Sequence, residues 1–138
     1  MKTFLVIGLG RFGTALAEEL CALGNEVLAV DLSDERVQAV AEKVTYAAAG
    51  DCREAEVLQA LGARNVDCAV VATGSDVGVS ALITLNLKEL GVPRVVSKAH
   101  SAIHRKVLER IGADQVVFPE QEMALRLAQD LSNDQILN

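Results

Sequence analysis

The sequence predicts an α/β fold: a doubly wound, parallel six-stranded sheet in the order 3-2-1-4-5-6, followed by an extra C-terminal amphipathic helix. Three observations carry that expectation. A short apolar run, Phe4 to Ile7, breaks into three glycines spaced G-x-G-x-x-G at Gly8, Gly10 and Gly13. The pairs Leu23-Gly24, Leu61-Gly62, Leu90-Gly91 and Ile111-Gly112 each close a helical pattern and precede a strand-like run. Glycine just past a helix end is the expected left-handed cap, so the chain is cut into alternating units. Alternation at this spacing, without long linkers, means a parallel sheet covered on both faces.

Phe4 to Ile7 is the first strand, and Thr14 to Leu20, with apolar residues at helical intervals, is the helix behind the glycines. Glu26 to Val30 is the second strand and ends at Asp31, and a helix follows from about Asp34 to Glu42. Thr45 to Ala49 is the third strand, ending at Gly50-Asp51-Cys52, and the third helix covers about Glu54 to Leu61. Cys68 to Ala72 is a fourth strand with little polarity, as a central strand buried on both faces requires. The fourth helix runs from about Val77 to Leu90, the fifth strand from Arg94 to Lys98, and the next helix from about Ala102 to Ile111. Gln115 to Phe118 is the sixth strand; Pro119 then opens the last helix, Glu120 to about Leu131, where a first-turn proline costs nothing. That helix carries Met123, Ala124, Leu127, Ala128 and Leu131, an apolar face in need of a partner at a sheet edge or on another subunit.

At 138 residues the chain fits one domain with a real core. Hydrophobic residues at 51% and charged residues at 23% exclude a disordered class. Aromatics are 3% with no Trp, so Val, Leu, Ala and Ile carry the packing. A net charge of −6 argues against nucleic acid and anionic membranes as partners. No apolar run approaches the roughly 18 to 20 residues needed to span a bilayer. The N-terminus enters the first strand at once, leaving no room for a signal peptide. The expected location is the cytoplasm. Cys21, Cys52 and Cys68 are odd in number and lack metal-ligand spacing, so free thiols are expected, with Cys21 and Cys68 as small buried hydrophobes.

Strand, glycine turn and helix start, in that order, form the dinucleotide fingerprint of a Rossmann-type fold. Gly8 allows the tight turn, Gly10 lets the backbone approach a pyrophosphate, and Gly13 lets helix and strand pack closely. Asp31, 18 residues after Gly13, stands where a carboxylate hydrogen-bonds ribose hydroxyls, unless it only caps the next helix beside Ser33 and Asp34. Its charge also disfavours a ribose 2′-phosphate and hence NADP. In such a sheet the ligand sits at the carboxyl ends of the strands. Those ends are Gly8 to Gly13, Asp31, Asp51-Cys52, Ala72-Thr73-Gly74, Lys98 and Pro119-Glu120. Asp51 is equally a candidate helix cap, as are Thr73 and Ser75. Lys98 closing a buried strand points to an anion, and Arg11 can reach a terminal phosphate. His100 and His104 have metal-pair spacing but no third ligand, so surface or interface histidines are expected. Tyr46 has no Lys four residues on, and no nucleophile or paired acid and base stands out; the chain is read as non-enzymatic.

Gly8-Leu9-Gly10-Arg11-Phe12-Gly13, Val30-Asp31, Gly50-Asp51, Leu87 to Gly91, Lys98-Ala99, Val107 to Asp114 and Phe118-Pro119-Glu120 together resemble an RCK domain, also called a KTN or TrkA-N domain. The resemblance covers nearly the whole chain. It implies a cytoplasmic regulatory subunit or domain of a bacterial Ktr or Trk potassium uptake system or related channel. Arg11 and Glu120 resemble the Ktr type, which binds ATP or ADP; Trk-type domains, associated with NAD(H), usually lack that arginine. By resemblance, Gly10, Arg11, Phe12 and Gly13 would hold phosphates and Asp31, with Leu32 beside it, the ribose. Asp51 and Cys52 would border adenine, with Ala72, Thr73, Gly74 and Lys98 flanking ribose and phosphate. Glu120 would sit near the γ-phosphate or a divalent cation, Mg²⁺ or Ca²⁺. The resemblance further implies homodimers within an octameric ring beneath a membrane-embedded potassium transporter. Residues 1–118 would form the nucleotide-binding domain; 119–138 would be a crossover helix and the start of a hinge at Ser132-Asn133-Asp134, with the family's C-terminal regulatory domain absent. The other readings open at this point are an NAD(H)-binding Trk-type regulator, the cofactor half of an NAD-dependent dehydrogenase, and a ring-forming scaffold.

Overall fold

A computed structural model describes residues 1–133; the part of the expected hinge from Asp134 onward lies outside the described residues. Six parallel strands form one sheet in the order β3-β2-β1-β4-β5-β6, as the sequence predicts. They are β1 (Thr3–Ile7), β2 (Glu26–Asp31), β3 (Tyr46–Ala49), β4 (Cys68–Val71), β5 (Val95–Lys98) and β6 (Gln115–Val117). The helices are α1 (Arg11–Ala22), α2 (Asp34–Val40), α3 (Ala55–Ala60), α4 (Val77–Glu89), α5 (Ala102–Ile111) and α6 (Pro119–Ser132). A 3-10 turn at Ala63–Asn65, which the apolar periodicity does not show, joins α3 to β4.

Alternation along β1 splits the core in two. Leu5 and Ile7 join Leu58, Val71, Ile83 and Leu87 under α3 and α4. Val6 joins Ala17, Val27, Ala29, Val37 and Val40 under α1 and α2. β4 is buried at all four positions, which explains its lack of polar residues. The four helix-ending glycines all have positive φ, as left-handed caps require.

α1 begins at Arg11 rather than behind the glycines: Gly10 is its N-cap and Gly13 a buried residue of its first turn. Arg11 and Phe12 therefore project from the start of a helix. α2 stops at Val40, two residues short of the expected end, where Ala41 and Lys43 turn back on Gln38 and Val40. One of the two thiol expectations is corrected. Cys68 is buried, but Cys21 is only partly so, facing Thr45 Oγ1, while Cys52 is the more deeply enclosed. α6 has no buried residue, and Met123, Leu127 and Leu131 are all more than half exposed. Among the described residues no helix is long and apolar enough to cross a membrane.

Candidate ligand-binding site

The strands' carboxyl ends open into a cleft of about 600 Å³. Its floor is the β1–α1 turn. Gly8 has φ +98° and donates its N–H to Val30 O at 2.8 Å; a Cβ there would lie 2.7 Å from the Ala72 carbonyl. Gly13 packs so tightly that a Cβ would overlap the Gly8 carbonyl oxygen, which is the close helix–strand approach the motif predicts. Gly10 differs: a Cβ there would meet no atom within 4 Å, because it faces the open cleft.

Asp31 ends β2 and ties the turn in place. Its Oδ2 accepts the Leu9 N–H at 2.7 Å and its Oδ1 accepts the Ser33 N–H at 2.9 Å, while Arg36 Nη1 stands 3.8 Å from Oδ2. Ser33, not Asp31, caps α2, accepting from the Arg36 N–H. Asp51 is likewise no helix cap, since α3 begins after Glu54. Asp51 instead binds Arg53, with Nη2 to Oδ2 at 2.7 Å and Nε to Oδ1 at 2.9 Å. The Arg53 side chain, by hydrogen bonding, holds the Asp51 carboxyl below its ordinary range and is itself pushed up. Cys52 beside it is buried, and desolvation, helped by Asp51 and Asp31, pushes its thiol up to about 12. It is a protonated wall residue and not a nucleophile.

Leu32 stands at the rim, 65% exposed. Ala72, Thr73 and Gly74 form the far wall. Neither Thr73 nor Ser75 caps α4; Asp76 does, accepting the Val79 N–H at 3.1 Å. Thr73 Oγ1 is left buried without a hydrogen-bond partner among the described residues. That orphan hydroxyl and the open cradle at Gly10 both fit a polar ligand lying over the turn.

Arg11, Phe12 and Glu120 do not line this cleft. They line a smaller pocket of about 380 Å³ with His100, Phe118 and Pro119, and Lys98 lines both. Of the expected site residues, Gly8, Gly10, Asp31, Leu32, Asp51, Cys52, Ala72, Thr73, Gly74 and Lys98 thus meet in the cleft. Arg11, Phe12 and Glu120 meet beyond Lys98, and Gly13 lies beneath the turn, outside both. The sequence reading missed Arg36, Arg53 and Asp76 on the cleft wall. Each follows a strand end by a few residues, and that position is the signal that could have found them. Among the described residues no group of three His, Cys, Asp or Glu is arranged to hold a metal ion.

The expectation of surface histidines fails for His104. It is fully buried, its ring stacked on that of His100 with centroids 5.9 Å apart. Burial first, and then the neighbouring His100, pushes its pKa down, so the neutral ring is favoured.

Sheet order, glycine turn and strand-end cleft define a Rossmann-type α/β domain. The chain belongs to the TrkA-N domain family, whose model matches residues 4–119. Two similar curated proteins are both named Ktr system potassium uptake protein A. The one from Bacillus subtilis is 46% identical over 99% of this chain, and the one from Vibrio alginolyticus is 40% identical over 99%. The chain spans 62% of the length of each. Among solved structures, the TrkA-N domain of the Escherichia coli inner membrane protein ybaL superposes with a TM-score of 0.83 at 22% identity, covering 96% of both chains. The GsuK channel bound to NAD gives 0.74 at 19% identity over 84% of this chain and 21% of that one. The Kef C-terminal domain of Shewanella denitrificans in its AMP-bound form gives 0.74 at 20% identity, covering 98% of this chain and 85% of that one. At these identities the structural likeness speaks for the fold.

Proposed function

We propose that the chain is a nucleotide-sensing regulatory domain, with ATP or ADP as ligand, that controls potassium transport through a membrane-embedded partner on the cytoplasmic side. The observation that carries this reading is the pair of adjoining pockets sharing Lys98, with Arg11 and Glu120 in the second. A nucleotide lying over Gly10 with its ribose toward Asp31 would extend its terminal phosphates past Lys98 to Arg11. An added γ-phosphate then meets one more cation, which supplies the differential affinity that any population shift needs. Glu120 would share a divalent cation with the phosphate oxygens, since hard cations take oxygen ligands from both. The names of the Ktr relatives support a role in potassium uptake.

A ligand that binds only the folded chain raises the thermal midpoint. ATP at a hundredfold excess over its Kd is expected to raise it by about 10 °C. Arg11→Ala should erase the advantage of ATP over ADP in the same scan. Equal ATP and ADP affinities in both proteins would refute the γ-phosphate role. An NAD(H)-binding regulator is the second reading, favoured by Asp31 at the ribose end of the cleft. A shift confined to NADH would select it.

The uncovered apolar face of α6 supports a homodimer, which the reading places within an octameric ring. Leu127→Asp on that face should convert the dimer to monomer in light scattering, and should make the thermal midpoint independent of protein concentration. A variant that remains dimeric would remove α6 from the interface.

A further inference from the structure

Among the buried side chains left unused by the proposed role is His104. It stands where α4, α5 and the β5–α5 turn meet, and each of its ring nitrogens has a partner. Nδ1 faces the His100 N–H at 3.1 Å, and a backbone N–H can only donate, so Nδ1 carries the lone pair. In the neutral ring the proton is then on Nε2, which donates to Ser80 Oγ at 2.6 Å. The Ser80 hydroxyl passes its own proton toward the Val77 and Asp76 carbonyl oxygens, at 3.3 and 3.4 Å. Asp76 is both the cap of α4 and a wall residue of the large cleft, and His100 is a wall residue of the small pocket.

We infer that His104 is the positioning residue of the Lys98-to-Ser101 turn, and that through Ser80 it ties the small pocket to the start of α4 at the large cleft. The turn is held at three points. The Ala99 N–H donates to Val117 O at 2.9 Å, the His100 N–H donates to the ring, and Ser101 Oγ accepts the His104 N–H at 3.0 Å. Removing the ring acceptor frees the middle of the turn, with Lys98 and His100 on either side of Ala99. A side chain that merely filled space would act through its volume, and an apolar replacement would leave the turn where it is. The positioning role depends on the acceptor and so separates two substitutions. Asn at 104 places its Oδ1 near the site of Nδ1 and keeps the acceptor, whereas Leu supplies bulk without one.

The test uses the 138-residue chain, with His100 amide exchange and ring ¹⁵N shifts measured by NMR and Mg-ATP titrated calorimetrically. The wild type should show the Nε2–H tautomer and a protected His100 amide. In His104→Leu that protection should be lost, and Mg-ATP affinity should fall about tenfold, the worth of one net hydrogen bond. His104→Asn should keep the protection and most of the affinity. Ser80→Ala, which leaves the His100 bond intact, guards against a Leu variant that does not fold: it should keep the protection while shifting the amide signals of Val77 and Val79. Protection surviving in His104→Leu, or lost equally in His104→Asn, would overturn the inference. Only the calorimetric arm rests on the proposed ligand; should the wild type fail to bind ATP, that proposal falls and the amide protection decides the role of His104.

Discussion

Gly13→Ala is expected to lose at least about 3 kcal/mol of stability, the upper end of what overpacking usually costs. By local propensity the substitution should help, because Ala is favoured over Gly in a helix by about 1 kcal/mol. The packing decides the sign. The added Cβ would overlap the Gly8 carbonyl oxygen and lie 3.0 Å from the Gly8 carbonyl carbon and 3.3 Å from Ala72 Cβ. Backbone cannot rotate out of the way, so α1 must lift from β1 and β4. Gly10→Ala is the matched control. Its Cβ meets nothing within 4 Å, so urea unfolding should change by no more than about 1 kcal/mol, the usual scale for an N-cap change. Nucleotide affinity should fall in that variant, because the methyl group occupies the approach to the turn. Two variants with equal unfolding midpoints would contradict this division between a packing glycine and a ligand-facing one.

Asp31→Ala is expected to cost about 3 to 6 kcal/mol, since hydrogen bonds to a charged acceptor contribute roughly 1.5 to 3 each and two are lost. The Leu9 N–H, on a residue 4% exposed, would be left without its partner. The glycine turn then loses its tether to β2, so binding and stability should fail together. Asp31→Asn keeps one acceptor and should recover about half of the stability in the same urea titration. If the Ala variant unfolds like the wild type while losing only affinity, the carboxylate serves the ligand alone and the tether has no structural weight.

Sheet order and element positions were legible because their signals are local. Apolar runs, glycines after helices and a glycine turn each act within a few residues. All the described positive-φ residues are glycines, so the chain's punctuation could be read literally. The strand-end rule also located most of the expected residues that line the cleft, because in a parallel sheet every carboxyl end faces one way. What stayed hidden depends on partners far along the chain. Ser80, Thr84 and Asn86 interrupt the buried face of α4, where spacing alone gives no reason for them. Ser80 Oγ reaches His104, Thr84 Oγ1 meets Ser97 Oγ at 2.8 Å, and Asn86 Nδ2 donates to Arg53 O at 2.8 Å. His104, expected at the surface or an interface, escaped for the same reason: it is buried, and the hydroxyl that satisfies it lies 24 positions away. The division into two pockets had no sequence signal at all, because Arg11 and Glu120 stand at opposite ends of the chain.

The sheet order also sets the chain's folding schedule. β1, β2 and β3, with α1 and α2, form a self-contained half within the first 49 residues. The other edge of β1 belongs to β4, paired from Phe4↔Cys68 to Ile7↔Val71. A chain emerging from the ribosome therefore carries β1 with one hydrogen-bonding edge unfilled until residue 71 is free. Such an edge is a template for the wrong strand, including β4 of a neighbouring copy. Joining the two halves also requires closing a loop of some sixty residues, a longer closure than any other strand pairing of this sheet needs, and is expected to slow folding. Crowded synthesis of this chain should favour swapped dimers, in which each copy lends its second half to the other's β1.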